Sequence, residues 1–382
     1  MAERKRVGLI YFYNESWIAG AYYILNIIHA LNYLKDSRKP ILVILTDDKK
    51  LFEDIKKQTN YMYLEFVNYP FLMPKHSLFE RLINKLSRIV INKNVVNKIP
   101  EYPIVDFVYP YQIPIVSDNL KKVNWIPDFQ EDYLPQYFSE TELNQRKKNQ
   151  KEVLAKGDIV VVSSLNAKND FERLYPDSVA KTFVLHFAVT HPDFSKESFD
   201  NLLIKYQLSN HYFFAPNQFW KHKNHIVILK AIKHLKDLGR NILVAMSGKE
   251  DDYRNADNFK VLKEYINDNQ LQDNIKLLGF IPRTEQLCLM QHATAIIQPS
   301  MFEGWSTVVE DAKALNKFLI LSNIDVHKEQ VSENVEFFSP NDASELADII
   351  LKYNDSKPKM KYSNYKSNIL DFGKQFYKLI EL

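Results

Sequence analysis

The stretch that most limits what this chain can fold into is QPSMFEGWSTVVEDAKALNKFLIL, residues 298–321. The apolar residues before it predict a buried strand, Glu303-Gly304 predicts a turn, and Ser306 to Leu315 has apolar side chains at helical spacing. Phe318 to Leu321 then predicts a second buried strand. A strand, a helix and a returning strand make a βαβ unit of a parallel sheet. Such sheets bind ligands beyond the carboxyl ends of their strands.

The start of this predicted helix has the properties of a binding site for an anion. The amides of Ser306, Thr307 and Val308 have no intrahelical partner and lie at the positive end of the helix dipole, which suits a phosphate. Three carboxylates flank these amides, and carboxylates accept hydrogen bonds from sugar or ribose hydroxyls: Glu303, Glu310 and Asp311. Because a nucleotide sugar presents both phosphates and hydroxyls, the sequence predicts a nucleotide-sugar site here.

EGWSTVVEDAKAL, residues 303–315, resembles the signature of retaining glycosyltransferases of the two-Rossmann-domain (GT-B) type, family 4, the glycosyl transferases group 1. The signature is an acidic residue, seven other residues and a second acidic residue. Glu303 supplies the first, and Asp311 stands where the family usually has Glu, with Glu310 beside it to share the ribose contact. The resemblance implies an α/β GT-B fold, in which two Rossmann-like domains with parallel sheets face a central cleft.

The length and composition agree with two domains of an ordinary globular protein. The 382 residues are enough for two sizeable cores. We predict an N-terminal Rossmann-like acceptor domain at residues 1–190 and a Rossmann-like nucleotide-sugar donor domain at 195–363. A C-terminal helix at 364–382 is expected to cross back to the first domain, as the resemblance implies. The net charge of +3 argues against a dedicated nucleic-acid binder.

The single cysteine, Cys288, rules out an internal disulfide and suits a reducing compartment. The sequence has no run of 18 apolar residues, and its N-terminus reads as a first strand rather than a signal peptide. We therefore expect a cytoplasmic protein, with a peripheral position at the inner face of the membrane as a further possibility.

Other donor-side residues follow from positions that match the family's motifs. The family clasps the diphosphate with an Arg and a Lys five residues apart; Lys223 matches the Lys, and Gln218 stands where the Arg often is. Gly248 lies in a loop similar to the one beside the sugar phosphate, and Ile281 is the candidate for the base contact. The resemblance thus implies this donor-binding set: Gln218, Lys223, Gly248, Ile281, Glu303, Gly304, Trp305, Ser306, Thr307, Glu310 and Asp311.

Two segments resemble acceptor-side loops of the family. The loop after the first strand usually contains a Gly-Gly pair, and residues 14–21 have Ala19-Gly20 there, ahead of a helix predicted from Tyr22. The segment with Asp128 resembles a loop that faces the acceptor and usually has His directly after Gln, where this chain has Glu131. Each segment also has a structural interpretation: a plain βα turn for the first, and core residues with a helix cap for the second.

A third stretch, Leu78 to Val90, is a predicted amphipathic helix. Leu78, Leu82, Leu86 and Ile89 share one face, and basic residues lie on another. A basic amphipathic helix can lie on anionic lipid. We favour the alternative, in which the apolar face packs on its own domain and the charged face is solvated.

The first functional hypothesis is a retaining glycosyltransferase that moves a sugar from a UDP- or GDP-linked donor to a glycan or lipid-linked acceptor, in cell-surface polysaccharide synthesis. Lys223, with the amides of Ser306 and Thr307, would take up charge on the leaving diphosphate, and Glu303 would orient the sugar. The resemblance implies catalysis by Glu303 and Lys223, with no cofactor and no metal. His222 and His225, three residues apart with no acid partner, are a weak metal signal.

Two alternatives remain open. Gln218, Glu131 and Asp311 depart from the family pattern, which motivates a catalytically weak GT-B chain that serves as a binding or scaffold subunit. The other is a different GT-B enzyme, such as a nucleotide-sugar epimerase or a glycan phosphorylase.

Overall fold

The structure is a computed structural model that describes residues 3–11, 18–69, 77–91, 95–96, 105–110, 121–156 and 159–382. The chain divides into two compact units. The first unit comprises Met1–Trp125, Lys156–Val160 and Gly373–Leu382. The second comprises Ile126–Ala155 and Val161–Phe372.

The first sheet has seven strands in the order β3-β2-β1-β4-β5-β6-β7. Its strands are β1 Arg6–Ile10, β2 Ile41–Thr46, β3 Leu64–Asn68, β4 Phe107–Tyr109, β5 Lys121–Ile126, β6 Ile159–Val162 and β7 Lys181–Val184. The helices in this part of the chain are α1 Ile18–Asn32, α2 Lys49–Thr59, α3 Leu78–Ile91, α4 Gln130–Tyr133, α5 Glu140–Lys156 and α6 Leu165–Leu174.

The second sheet has six strands in the order β10-β9-β8-β11-β12-β13. Its strands are β8 Phe213–Pro216, β9 Val244–Ser247, β10 Ile275–Leu277, β11 Ile296–Gln298, β12 Leu319–Ser322 and β13 Val335–Phe338. The helices here are α7 Phe199–Tyr206, α8 His225–Asp237, α9 Asn258–Asp268, α10 Arg283–His292, α11 Thr307–Ala314, α12 Asp325–Gln330, α13 Ala343–Asp355 and α14 Lys366–Glu381.

Both sheets are doubly wound. The strand pairs recorded between described residues are parallel, and in each sheet the strand order reverses next to a central strand, β1 or β8. Beyond the carboxyl ends of β8 and β11 this reversal leaves a crevice where α/β sheets bind ligands. The fold therefore predicts a ligand site at the loops after β8 and β11.

The second sheet is covered by apolar side chains on both faces. Alternate residues of a strand point to opposite faces, so Ile297 and Ile320 pack on one side while Ile296 and Leu319 pack on the other. This is why β11 and β12 are continuous apolar runs in the sequence rather than alternating ones.

An aromatic cluster links the helices of the first unit to its sheet. Tyr23 of α1 stacks on Trp125 at a centroid distance of 4.2 Å, and its hydroxyl lies 2.6 Å from that of Tyr109. Phe376 of α14 meets the Tyr109 ring edge-on at 5.5 Å. The C-terminal part of α14 thus packs in the core of this unit.

Two expectations about the first unit are wrong. Helix α1 begins at Ile18 rather than near Tyr22, so Ala19 and Gly20 lie in its first turn and not in a loop; the predicted loop residues 14–17 lie outside the described residues. The apolar side chains of α3 were expected to pack on their own domain, but those of Leu78, Leu82, Leu86 and Ile89 have exposed fractions of 55–85%.

No helix within the described ranges is long and apolar enough to cross a membrane.

Replacing Gly373 with Ala is expected to destabilise the protein, although the same change inside an exposed helix is worth about 1 kcal/mol of stabilisation. A Cβ at Gly373 would lie 2.4 Å from the carbonyl oxygen of Ala30 in α1, so the helices must shift apart. We expect a loss of about 1–3 kcal/mol in the free energy of unfolding, measured with a denaturant. Gly239→Asn is the control, because a Cβ there meets nothing within 4 Å and Asn tolerates its φ of +73°. Equal or higher stability of Gly373→Ala would contradict this packing.

Candidate functional site

The predicted βαβ unit is present as strand β11, helix α11 and strand β12. Ser306 caps α11, and its hydroxyl accepts a hydrogen bond from the amide of Val309 at 3.4 Å. Asn316, with φ of +50°, follows the helix in a left-handed conformation that asparagine tolerates. These local features place the loop 299–305 at the carboxyl end of β11, in the crevice beside β8.

Gln298, the last residue of β11, organises this loop from inside the protein. Its side chain is fully buried, and its Nε2 donates to Glu303 Oε1 at 2.7 Å and lies within 3.3 Å of the hydroxyls of Ser300 and Ser306. Its Oε1 accepts from Asn217, the residue after β8. Sequence reasoning did not select Gln298 or Asn217, although a polar residue that ends an apolar strand is a signal that could have found Gln298.

The two residues predicted to be catalytic are brought together. Lys223 Nζ donates to Glu303 Oε1 at 2.6 Å, and both side chains are largely buried. Lys223 is held by a short turn that ends at Asn224, whose side-chain amide donates to the carbonyl oxygens of Pro299 and Pro340. The turn after β8 is thereby tied to the loop after β11.

The charges around Glu303 keep its carboxylate ionised. Burial would raise its pKa, but the charge of Lys223 and the hydrogen bond that Lys223 donates lower the pKa to about 2. Oε1 already accepts from Lys223 and Gln298, and no hydrogen bond from the described part of the chain reaches Oε2. Glu303 therefore has one oriented oxygen and one oxygen able to accept from a hydroxyl.

Asp311, the second acid of the signature, is buried between Arg283 and His191. Its Oδ1 accepts from Arg283 and lies 3.0 Å from Nε2 of His191. Burial would raise its pKa, but Arg283 and His191 lower it. Its Oδ2 is buried and has no partner among the described residues. Asp311 thus retains an open acceptor, and Arg283 and His191 are site residues that sequence reasoning missed because they lie 28 and 120 positions away.

Glu310 differs from its neighbour, because both of its oxygens are already used within the protein. Oε1 accepts from Lys313 at 2.8 Å and from Gln330 at 2.9 Å, and Oε2 accepts from the hydroxyl of Tyr365. Three hydrogen bonds from the protein thus already hold this carboxylate in place.

Of the three amides proposed for the anion site, that of Ser306 is occupied by another residue. It donates to Gln330 Oε1 at 3.1 Å, and Gln330 Nε2 donates back to the Ser306 carbonyl at 2.8 Å. The amides of Thr307 and Val308 lie in the first turn of α11, where no intrahelical acceptor precedes them. The predicted role of the Ser306 amide toward a phosphate is therefore wrong for this conformation, because Gln330 has taken its place.

Two glycines allow backbones to approach closely around this loop. A Cβ at Gly248 would lie 2.0 Å from the carbonyl oxygen of Asn217 and 2.8 Å from the Cα of Gln218. A Cβ at Gly304 would lie 2.5 Å from the carbonyl oxygen of Pro127 and 2.9 Å from the Cβ of Asp128. The loop of Gly248 therefore approaches that of Gln218, and the loop of Gly304 approaches that of Asp128, at distances that only glycine permits.

The remaining predicted residues fall into different environments. Asp128 lies beside Gly304, and burial raises the pKa of its carboxyl group. Glu131 is turned away into α5, where Arg146 at 2.9 Å and Gln150 at 2.5 Å bind its buried carboxylate.

The indole of Trp305 donates to the carbonyl oxygen of Phe187 at 3.1 Å and stacks on His186 at 4.4 Å. Ile281 is buried in the core of the second unit. Ala19 and Gly20 belong to the first unit.

The buried histidines of the second unit are neutral. Burial lowers the pKa of both His222 and His225 to about 3. Within the described ranges, no group of three or more His, Cys, Asp or Glu side chains is placed to hold a metal ion. His327 is also buried, with Nδ1 lying 2.9 Å from the Ser322 carbonyl and Nε2 without a partner in the described part of the chain.

The fold and the site define a GT-B protein with two Rossmann-like domains and parallel sheets, as the sequence predicted. Residues 204–368 match the family described as Glycosyl transferases group 1. The O-antigen chain mannosyltransferase RfbU of Salmonella typhimurium LT2 is 25% identical over 220 residues. That alignment covers 55% of this chain and 58% of RfbU, so it spans a little over half of the relative's length.

Solved structures of glycosyltransferases share the fold over nearly the whole chain. HepE of Anabaena, in complex with UDP and glucose, superposes with a TM-score of 0.66 and 15% identity and covers 99% of this chain and 100% of its own. A glycosyltransferase of Rickettsia africae gives 0.62 and 18%, with 99% of each chain covered. WaaG, a glycosyltransferase involved in lipopolysaccharide biosynthesis, gives 0.58 and 12%, covering 98% of this chain and 97% of its own. At these identities the likeness shows the fold alone.

The ion pair of Glu303 predicts a specific dependence of stability on pH. Because its folded pKa of about 2 lies below the ordinary value of 4.5, its contribution is present above pH 4.5 and is lost as the pH falls toward 2. The wild type should be more stable than Glu303→Gln above pH 4.5. This difference in the free energy of unfolding should decrease by an amount on the order of 3 kcal/mol over the whole window from pH 4.5 to pH 2. Urea unfolding of both proteins from pH 6 to pH 3 measures the difference, in which the contributions of other carboxylates cancel. A difference that stays constant would show that Lys223 and Glu303 are not paired.

Proposed function

We propose that this protein is a retaining glycosyltransferase of family 4 that transfers a sugar from a UDP- or GDP-linked donor to a glycan or lipid-linked acceptor. The observation that carries the proposal is the Lys223–Glu303 pair beside the first turn of α11, at the strand-order reversal of the second sheet. The group 1 match over residues 204–368 supports the transferase class. The UDP and glucose bound by HepE support a nucleotide-sugar donor.

We assign the donor to the second Rossmann-like domain and the acceptor to the first, with limits at residues 1–190 and 195–363 and a final helix at 364–382. Lys223 and the amide of Thr307 take up charge on the leaving diphosphate, because preorganised donors stabilise charge that develops in a transition state. Oε2 of Glu303 accepts from a sugar hydroxyl, and Oδ2 of Asp311 accepts from a ribose hydroxyl. Asp128 lies on the acceptor side of the reacting carbon.

The reaction exchanges one bond at the anomeric carbon for another on the same face of the sugar. The bond to the diphosphate oxygen breaks as the acceptor oxygen attacks, and the acceptor proton passes to the departing diphosphate. This proposal requires no covalent bond to the protein, no bound metal and no cofactor beyond the donor. Retention of configuration, read from the anomeric proton coupling of the product, tests it.

The acceptor is proposed to belong to cell-surface polysaccharide synthesis. RfbU is named for the O-antigen chain and WaaG for lipopolysaccharide biosynthesis, which supports this class of acceptor. A cytoplasmic protein at the inner face of the membrane would meet such lipid-linked glycans. A scaffold subunit of low activity is the second candidate, because Gln218 supplies no charge to a diphosphate and Lys223 is already paired.

Replacing Glu303 with Ala is expected to lower the transfer rate by at least about 100-fold, because the variant loses both the sugar contact and the partner that positions Lys223. Sugar transfer to a lipid-linked glycan acceptor measures the rate, and thermal unfolding checks that the variant is folded. Glu53→Ala, at an exposed position of α2, is the matched control and should keep full activity. Wild-type turnover by Glu303→Ala would refute the assignment of Glu303.

Nucleoside diphosphates should raise the midpoint of thermal unfolding, whereas the monophosphates should not. A ligand at about 100 times its dissociation constant stabilises a folded protein by roughly 2.7 kcal/mol, which corresponds to several degrees. UDP, GDP, ADP and their sugars form the panel. Lys223→Met should reduce the shift, and Lys230→Met, at an exposed position of α8, should not. If no diphosphate binds at millimolar concentration, the donor assignment fails and the scaffold candidate replaces it.

A further inference from the structure

Helix α3 presents a row of apolar side chains to solvent. Seven apolar side chains of α3 have exposed fractions between 55% and 85%, and the seventh, Ile91, lies about 100° beyond the face that the other six share. These six are Leu78, Phe79, Leu82, Leu86, Ile89 and Val90. Single exposed apolar residues are common on proteins, but a contiguous exposed patch marks a surface that another molecule covers. Packing against the described residues leaves this row exposed, so the row requires another explanation.

The exposed residues form one face of the helix. At about 100° per residue, the six side chains occupy an arc of about 120°. The basic residues Arg81, Lys85 and Arg88 are exposed and lie together along one edge of this arc. Glu80, on the opposite side, is the one acidic residue of this helix. The helix therefore carries three positive charges and one negative charge.

The opposite side of the helix makes a polar contact with the chain that follows it. Asn84 is buried, and its side chain accepts from the amide of Val96 at 2.8 Å and donates to the Val96 carbonyl at 2.9 Å. An amphipathic helix of a globular domain normally buries its apolar stripe. In α3 a polar residue faces the protein and the apolar arc faces outward, so the helix is oriented for an external contact.

We propose that the apolar face of α3 docks on a membrane surface that contains anionic lipid. The apolar arc would enter the boundary between headgroups and acyl chains, while Arg81, Lys85 and Arg88 contact negatively charged headgroups. Charge decides between this partner and a second copy of the chain. Two such faces brought together would set the same cations near one another, whereas an anionic lipid surface complements them.

This contact gives the proposed function its location. A chain held at the lipid surface through α3 meets acceptors that are themselves anchored in the membrane. The biological role of the contact rests on the proposed function. Lipid binding itself is measured without donor or acceptor, so its test is independent of that function. Glu303→Ala should bind vesicles as the wild type does, so a failed transferase assignment and a failed docking surface give different results.

Co-sedimentation of the full chain with vesicles tests the proposal. The wild type should bind vesicles of phosphatidylcholine and phosphatidylglycerol in a 3:1 ratio, and bind pure phosphatidylcholine at least about tenfold more weakly, because three basic residues each contribute about fivefold near an anionic surface. No binding to the anionic vesicles, or equal binding to both kinds, would overturn the proposal.

Variants of exposed residues separate the two parts of the contact. Leu86→Glu and Ile89→Glu should each lower anionic-vesicle binding by about tenfold or more, because a charge replaces a buried apolar group. Ile204→Glu, whose side chain is 78% exposed on α7, is the matched control and should bind as the wild type does. Equal losses in all three variants would contradict a role for α3.

A second set of variants tests the basic residues along the edge of the apolar arc. Arg81→Gln with Lys85→Gln should weaken anionic-vesicle binding by about 25-fold and leave binding to neutral vesicles unchanged. Lys148→Gln with Lys230→Gln, two exposed lysines of α5 and α8, removes the same charge elsewhere and should have a smaller effect. If sedimentation velocity instead shows a wild-type dimer that Leu86→Glu dissociates, without vesicle binding by either protein, the face binds a second copy and the proposal is wrong.

Discussion

The ion pair between Lys223 and Glu303 is the interaction on which the arrangement of the candidate site depends. It joins the turn after β8 to the loop after β11, at the place where the strand order of the second sheet reverses. Neither charge would be stable alone in this buried position, because an unpaired buried ion loses its hydration without compensation. Gln298 fixes the geometry of the pair from the end of β11. The pair is thus both a structural contact and the reason that the two loops present their polar groups to one crevice.

The acids around this pair show that surroundings, rather than residue type, decide what a carboxylate can do. Glu303 and Asp311 are each held through one oxygen, and the other oxygen of each has no hydrogen-bond partner among the described residues. Glu310 and Glu131 spend both oxygens on contacts within the protein. Burial raises the pKa of the fifth acid, Asp128. The five acids therefore differ in their hydrogen-bond partners and in their pKa because their surroundings differ.

The two units depart from the usual distribution of polar and apolar residues in opposite ways. In the second unit, charged side chains are buried and paired around the crevice. In the first unit, apolar side chains of α3 are exposed. Burying a charge and exposing an apolar patch both lower the stability of a protein, and both arrangements are rare. We propose a molecule outside the chain for each, a charged ligand in one case and a lipid surface in the other.

Local patterns in the sequence determined the parallel sheets and the βαβ unit at residues 296–322, because periodicity and turn chemistry act over a few neighbouring residues. The resemblance to a known family supplied the choice of Glu303 and Lys223. Only the tertiary structure decided that Gln330 takes the amide of Ser306, that Arg283 and His191 hold Asp311, and that Glu131 turns toward α5. It also decided which face of α3 meets solvent. The amphipathic period shows that the helix has two faces, but which face is buried depends on contacts such as that of Asn84 with Val96. Contacts between residues distant in sequence depend on how the elements pack, and that packing has no signal in the local sequence.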